Sequence, residues 1–265
     1  MTEYTDPAKE LAELFDLLNV PTDTTGDAFL ASKFGVQPWS AGFYQIVFCI
    51  VERIDFLQSS ISGLNIDDDL INDALSSLKQ ISKAFEREPL RLPWNHNGGG
   101  INYLKKEHIQ TIKMLSPEIR RTVSYPRISK DKRNEILDDI EVLITWLTEH
   151  QLKEQDFIRQ ALLDGLYALK FRLSHLNWLG WGYVLSSLRD VIGAYLALER
   201  GIPADNSAPD GEAVLKKMNA FLSEFYKKTN LLKDISENAD FILKAYGAAS
   251  IFLDSTSISG LLPKP

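Results

Sequence analysis

Apolar residues recur every three to four positions along almost the whole chain. This spacing is typical of amphipathic α-helices, whereas a half-buried strand alternates apolar and polar residues at every second position. Alternating runs bounded by turn residues are nearly absent. The pattern therefore predicts an all-α protein, a multi-helix bundle of about ten helices with no significant sheet. Short connections between the predicted helices make most neighbours antiparallel.

Capping residues and helix breakers predict the helix boundaries. Asp6 followed by Pro7 is typical of a helix start, because aspartate caps the first turn and proline fits the first helical position. Gly63 and the glycine run at 98–100 are typical of helix ends and loops. The predicted helices cover about residues 7–20, 27–34, 38–62, 65–86, 101–115, 130–149, 153–176, 177–200, 210–228 and 230–254, with a short one starting at 116.

The turn-rich stretch SYPRISKDK, residues 124–132, interrupts the helical pattern. It predicts an N-terminal helical lobe over residues 1–128 and a C-terminal helical bundle over residues 129–265. A chain of 265 residues is long enough for two modest domains or one large one. The two lobes are therefore predicted either as separate domains or as parts of one continuous domain.

Four glycines fall inside predicted helices near the aromatic stretch NWLGWGYV. Glycine in a helix costs about 1 kcal/mol relative to alanine, so we expect close approach of another helix at these positions. Trp178 and Trp181 have two interpretations, as core packing or as the lining of a ligand pocket. The four glycines are Gly165, Gly180, Gly182 and Gly193.

The chain carries no pattern typical of secretion or membrane insertion. Its opening, MTEYTDPAKELAEL, is acidic and polar, unlike a signal peptide. The longest apolar block, residues 41–51, is shorter than the roughly 20 residues that a bilayer span needs. The single cysteine, Cys49, lies in that block and is predicted to be a buried core thiol. We expect a cytoplasmic protein with no membrane partner.

Charge is distributed in blocks along the chain. Residues 1–73 carry a net charge of −10, residues 74–133 carry +8, and residues 134–265 carry −5, against −7 for the whole chain. The basic block can bind nucleic acid, because its cations neutralise phosphates and interleaved aromatic rings stack on bases. It can equally pack against the acidic part of the same chain or form a solvated face. The binding candidates in this block are Trp94, Lys105, Lys106, Arg120 and Arg121.

Arg91 and His96 frame the sequence RLPWNH in the loop that joins two predicted helices. The R-x4-H spacing resembles the active-site motif of HEPN ribonucleases, which are all-α proteins that often act as dimers. The resemblance covers six residues and implies that Arg91 and His96 are catalytic, acting on a scissile phosphate. In that family the motif lies at a helix, whereas Pro93 and the glycine run place it here in a loop.

Other catalytic, metal or cofactor motifs do not appear in the sequence. The four histidines have no metal-binding spacing, and no nucleophile elbow, phosphate-binding loop or dinucleotide fingerprint is present. We therefore expect no cofactor and no metal. The leading hypothesis is a non-enzymatic, bacterial interaction or regulatory protein, such as a toxin-neutralising or phage-defence component, with a protein partner or self-association. The alternative is an RNA-binding protein or HEPN-like ribonuclease that uses residues 74–133.

Overall fold

The computed structural model describes residues 4–150, 152, 156–201 and 209–229. Within these residues there are eleven α-helices, and the two strands, Tyr4–Thr5 (β1) and Tyr125–Pro126 (β2), are each two residues long. The protein is therefore all-α, and the predicted fold class is confirmed. The helix predicted at 230–254 lies outside the described residues.

Internal packing divides the chain into two units. The N-terminal unit comprises Tyr4–Ser124 together with Asn177–Gly180. The C-terminal unit comprises Tyr125–Leu176 and the described residues from Trp181 onward. Independent folding is a separate property, so the domains predicted at 1–128 and 129–265 stay a prediction.

The N-terminal unit contains seven α-helices and two short 3-10 helices. Its α-helices are α1 (Pro7–Leu18), α2 (Gly26–Phe34), α3 (Ala41–Ser62), α4 (Asp68–Ser82), α5 (Arg87–Arg91), α6 (Lys106–Met114) and α7 (Ser116–Thr122), and its 3-10 helices are Lys83–Phe85 and Gly100–Asn102. Helix α1 packs against α3, α6 and α7, while α4 packs against α3 and α6. The core lies between these helices.

The start of α1 follows the sequence prediction. The Asp6 carboxylate accepts a hydrogen bond from the backbone N–H of Lys9 at 2.9 Å, which caps the helix. Its second oxygen accepts from the Ser116 hydroxyl at 2.6 Å and from the Arg120 guanidinium at 3.1 Å. Asp6 is fully buried, so these bonds compensate the desolvation of its charge. One side chain thereby joins the first turn of α1 to α7.

Close backbone contact between α2 and α5 sets the position of the short helix. The N–H of Gly26, the first residue of α2, donates to the Leu92 carbonyl at 2.9 Å. A Cβ atom on Gly26 would lie 2.9 Å from the Cα of Leu90, so a larger residue would push α5 away. The absence of a side chain at Gly26 therefore holds α5, and the arginines at its two ends, against α2.

The chain between α4 and α6 differs from the prediction. The sequence predicts a helix over residues 101–115, whereas α6 begins at Lys106. The Ile101 N–H donates to the Trp94 carbonyl rather than to a helical partner, and residues 100–102 form a 3-10 turn. The prediction was wrong here because the glycine run folds back around Trp94. The short helix α5 was not predicted.

The C-terminal unit contains α8 (Lys130–Glu149), α9 (Asp156–Ser174), α11 (Pro209–Thr229) and, beyond residue 180, helix α10 (Leu176–Gly201). Helix α8 packs against α9 and α11. Gly165 meets Val191, whose Cγ2 would lie 2.9 Å from an added Cβ, so close helix approach is confirmed there. At Gly193 an added Cβ would meet none of the described residues within 4 Å, so the described part of the chain shows no close helix approach there. The buried face of α8 comprises Ile136, Ile140, Leu143, Ile144 and Leu147, as predicted.

Gly180 breaks helix α10 instead of packing within it. Its φ of 74° and ψ of 169° lie outside the helical region, and a positive φ favours glycine. A Cβ there would lie 2.7 Å from the Arg53 guanidinium carbon and from a Glu10 carboxylate oxygen. The continuous helix predicted over residues 177–200 is therefore wrong at this position.

Among the described residues, none of the helices combines the length and the apolar character needed to cross a membrane.

Candidate functional site

An open groove in the N-terminal unit is the strongest candidate site. Its volume is about 550 Å³, which lies in the range of small-molecule and peptide side-chain pockets. The first turns of α3 form one wall, and the 3-10 helix Lys83–Phe85 with α5 forms the other. We call it the arginine groove. It is lined by Trp39, Phe43, Tyr44, Val47, Phe85, Arg87, Leu90 and Arg91.

Trp39 is held in an unusual backbone conformation at one end of the groove. Its φ is 58°, in the left-handed region that bulky residues seldom adopt. The indole N–H donates to the Asp27 carboxylate at 2.6 Å, and the ring lies 5.4 Å from that of Phe43 and 5.8 Å from that of Tyr44. Strained residues of this kind persist where the surroundings hold them, often at binding sites. The indole is therefore a fixed wall of the groove.

Asp27 provides a charged acceptor for that indole. Partial burial acts to raise the pKa of Asp27, but hydrogen bonds from Thr25, from the Ala28 N–H and from Trp39 outweigh it, so the pKa is lowered. The carboxylate is consequently ionised at neutral pH. A hydrogen bond to an ionised acceptor is shorter and stronger than one to a neutral acceptor, which fixes the Trp39 ring more firmly.

Arg87 and Arg91 place two positive charges at the groove. They lie four residues apart on α5, a spacing that places them on one face of the helix. Both are exposed, and in the described part of the chain neither side chain has a hydrogen bond or an ion pair. By contrast, Arg120 pairs with Asp6 and Arg121 pairs with Glu118 at 2.6 Å. The two groove arginines are therefore available to an anionic ligand.

Exposed aromatic surface continues from the groove along α3. Tyr44 is 57% exposed and Phe48, one turn further on, is 61% exposed. Large aromatic side chains are normally buried, and exposed ones next to a cavity indicate an interaction surface. The groove and this surface therefore form one continuous region.

The two residues of the HEPN-like motif fall in different surroundings. Arg91 is the last residue of α5 and lines the groove. His96 is exposed in the turn that follows, where its backbone N–H donates to the Pro93 carbonyl, and it is not among the groove-lining residues. The catalytic assignment of the pair stays a prediction.

Trp94 occupies the core of the loop rather than its surface. The side chain is fully buried, and its indole N–H donates to the Leu18 carbonyl at 3.0 Å. The Phe29 ring lies 5.2 Å away. In this conformation the Trp94 ring faces protein on all sides and organises the fold of the 92–104 loop.

The other predicted binding residues are dispersed. Lys105 and Lys106 are exposed at the start of α6, and the Lys105 ammonium nitrogen lies 3.7 Å from a carboxylate oxygen of Glu107. Trp178 belongs to the N-terminal unit, where its ring packs edge-on against Phe34 at 4.9 Å. Trp181 belongs to the C-terminal unit and is 2% exposed.

Two further predicted features concern reactive and metal-binding side chains. Cys49 is buried, which confirms its assignment to the core. Within the residues that the structure describes, no group of three or more His, Cys, Asp or Glu side chains is arranged to hold a metal ion. The arginine groove is lined by two guanidinium groups, aromatic rings and aliphatic side chains.

Among the residues that line the groove, Arg91 alone was a predicted site residue. Arg87 was missed, and so were the aromatic residues Trp39 and Tyr44. Both precede Arg87 by more than 40 positions, so no local motif links them to the basic block. One signal was present in the sequence: Pro38-Trp39-Ser40 places a tryptophan directly before a helix start, where a residue seldom joins a helical core.

Comparisons of the chain with protein-family models, with curated proteins and with solved structures find no match.

Proposed function

We propose that this protein is an interaction protein that binds an acidic segment of a protein partner in the arginine groove. The observation that carries the proposal is the pair Arg87 and Arg91, which have no carboxylate partner among the described residues and border an aromatic cavity.

The remaining arginines of the N-terminal unit show why this pair is distinctive. Arg53 is buried and bonds both Glu10 and the Trp178 carbonyl, which gives it a structural role. Arg120 and Arg121 have carboxylate partners. Arginine presents a planar fork of donors that matches a carboxylate, and arginine and aromatic residues are enriched where proteins bind one another. An acidic peptide with an aromatic side chain therefore satisfies both properties of the groove.

A defined peptide tests the proposal. The probe is a fluorescein-labelled peptide of glutamates flanking one tryptophan, and binding is followed by fluorescence anisotropy at about 150 mM salt, where exposed charges more than about 8 Å apart are largely screened. Arg87→Glu with Arg91→Glu should weaken binding at least about tenfold, which corresponds to ~1.4 kcal/mol. The matched control is Lys106→Glu with Lys113→Glu, which makes the same charge change at exposed sites on α6.

The control variant should bind the peptide within about twofold of the wild type. Equal loss in both variants would show that only net charge matters. Unchanged binding in the Arg87→Glu/Arg91→Glu variant would show that the arginine groove is not the peptide-binding site. Circular dichroism of both variants establishes that the fold is retained, as expected for exposed side chains.

RNA binding through residues 74–133 is the second candidate function. It is favoured by the exposed cations Lys79, Lys106 and Lys113, which have no ion-pair partner within the described residues. Oligouridine RNA is the probe. Salt-dependent binding that is lost in the Lys106→Glu/Lys113→Glu variant would favour this function over the peptide proposal. If RNA is also cleaved, loss of cleavage in Arg91→Ala with His96→Ala would assign the site.

A cytoplasmic location, a bacterial origin and a toxin-neutralising or phage-defence role are compatible with an interaction protein of this kind. They stay predictions.

A further inference from the structure

The solvent-facing side of α3 is a single stripe. Exposed residues recur along it at intervals of three or four, the spacing that keeps side chains on one face of a helix. The helix has 22 residues, so the stripe is about 33 Å long. We call it the α3 stripe; its exposed members are Ala41, Tyr44, Gln45, Phe48, Glu52, Asp55, Ser59 and Ser62.

The two ends of the α3 stripe have opposite character. The first half carries Tyr44 and Phe48 and borders Arg87 and Arg91 across the groove. Asp55 follows Phe48 by seven positions, two helical turns, and is exposed on the same side. The second half is therefore acidic where the first half is aromatic and flanked by cations.

The acidic character continues past the end of α3. Asp67, Asp68 and Asp69 are exposed at the start of α4, where Asp67 caps the helix by accepting from the Asp69 N–H at 2.9 Å. These carboxylates add further negative charge in the segment that follows the acidic half of α3. The groove arginines and these acidic residues all belong to the N-terminal unit, so one folded unit carries both charges.

We infer that the partner bound in the arginine groove is a second copy of this chain, packed with the two α3 stripes antiparallel. This inference rests on the proposed function and names its partner. A two-fold axis near residue 50 brings the level of Tyr44 in one copy opposite the level of Asp55 in the other, because these residues lie about 16 Å apart along α3. The groove arginines of each copy then face Asp55 of its partner.

Symmetry favours a second copy over an unrelated acidic protein. In a two-fold contact each copy contributes the same surface patch. The contact between the groove arginines and Asp55 therefore forms twice, and the assembly is complete as a dimer. The exposed ring of Phe48 lies near the two-fold axis, between the two charged ends, and is covered in the pair. A single helix stripe is smaller than the roughly 800 Å² per partner of a standard interface. We therefore expect a dimer that depends on concentration and salt.

Sedimentation velocity on the full chain tests the inference. The wild type is measured at concentrations from about 1 µM to about 300 µM, over which the dimeric fraction of a weak dimer increases by mass action. The dissociation constant of the dimer should rise at least about tenfold between about 50 mM and about 500 mM salt, because salt screens the exposed charges over this range. The charge variants are Arg87→Glu with Arg91→Glu, termed the groove variant, and Asp55→Arg.

Each variant alone should be monomeric over the whole range, because like charges then face one another at both ends. An equimolar mixture should associate again, since the glutamates of the groove variant then face the guanidinium of the Asp55→Arg chain. Labelling the two variants with different fluorophores shows the mixed pair by energy transfer. The control variant Lys106→Glu/Lys113→Glu should dimerise like the wild type.

The outcomes separate the two proposals. A wild type that stays monomeric but binds the acidic peptide through the groove overturns the second-copy inference and leaves the proposed function standing. A dimer that neither charge variant affects places the interface elsewhere and also overturns it. A monomer that does not bind the peptide removes both.

Discussion

Replacing Gly100 by alanine should destabilise the N-terminal unit strongly. A Cβ at this position would have the Trp94 ring as its three nearest contacts, all inside the 3.0 Å that real Cβ atoms respect. Trp94 is fully buried and has no free space into which to move. Overpacking of this kind costs about 1–3 kcal/mol.

A second cost follows from the displacement of the indole. If the ring moves, its N–H loses the 3.0 Å hydrogen bond to the Leu18 carbonyl, and a buried polar group left unpaired costs about 1–3 kcal/mol. The expected loss in the free energy of unfolding is therefore about 2–6 kcal/mol. This is a large fraction of the stability of an ordinary domain.

Urea unfolding followed by far-UV circular dichroism measures the loss. Gly42→Ala is the matched control in the same unit, because its added Cβ would meet Val36 at an ordinary 3.5 Å near the start of α3. It should leave stability unchanged or raise it by up to about 1 kcal/mol. In a Trp94→Leu background the same Gly100→Ala change should cost at least about 1 kcal/mol less, because the clashing ring is absent.

A Gly100→Ala variant within about 0.5 kcal/mol of the wild type would refute the reasoning, because it would show that the loop relaxes without strain. Equal costs in the wild-type and Trp94→Leu backgrounds would show that the penalty arises from the backbone and not from contact with the ring.

Three further predictions concern other parts of the fold. Asp27→Asn should lower stability at pH 7, and its difference from the wild type should shrink as the pH falls below about 4, because the pKa of Asp27 is lowered on folding and protonation removes its contribution. Unfolding measured across this pH range checks this, and a pH-independent difference would contradict it. Gly180→Ala should destabilise the chain, since a positive φ and the Arg53 guanidinium oppose the Cβ; an unchanged urea midpoint would contradict this. Burial raises the pKa of Tyr226 to about 12, so its phenolate absorbance should appear at a higher pH than that of an ordinary tyrosine and should be missing in Tyr226→Phe. Its contribution to stability should be complete below about pH 10 and should decline as the pH rises through about 12. Identical absorbance titrations of the wild type and Tyr226→Phe around pH 12 would contradict the assignment.

Local signals in the sequence accounted for most helices. The cap at Asp6, the face of α8 and the C-terminal end of α3 follow from contacts within about four residues, which the sequence displays directly. The start of α3 differs, because the helix begins at Ala41 and not at residue 38 as predicted. The errors arose where distant residues intervene. Helix α10 is broken at Gly180 because Arg53, more than 120 positions earlier, occupies the space of a Cβ. The late start of α6 likewise depends on how the glycine run folds around Trp94.

The candidate site was only partly visible in the sequence. The basic block and Arg91 were recognised from composition and spacing. Which cations remain without an internal partner depends on the fold, since Arg120 is neutralised by Asp6, more than 100 positions away. The rings beside Arg91 come from the first turns of α3 and not from its own block.

The amino-acid sequence by itself determined that this protein is all-α and where most of its helices lie, because an apolar period of 3.6 residues and its capping residues act over a few positions. Only the tertiary structure decided that Trp94 is buried while Tyr44 and Phe48 are exposed. It also decided that Arg87 and Arg91 border aromatic rings without a carboxylate partner among the described residues. Burial and charge pairing depend on which distant segments pack together, and here the close contact of Gly26 with Leu90 holds α5, which belongs to one wall of the groove, against α2.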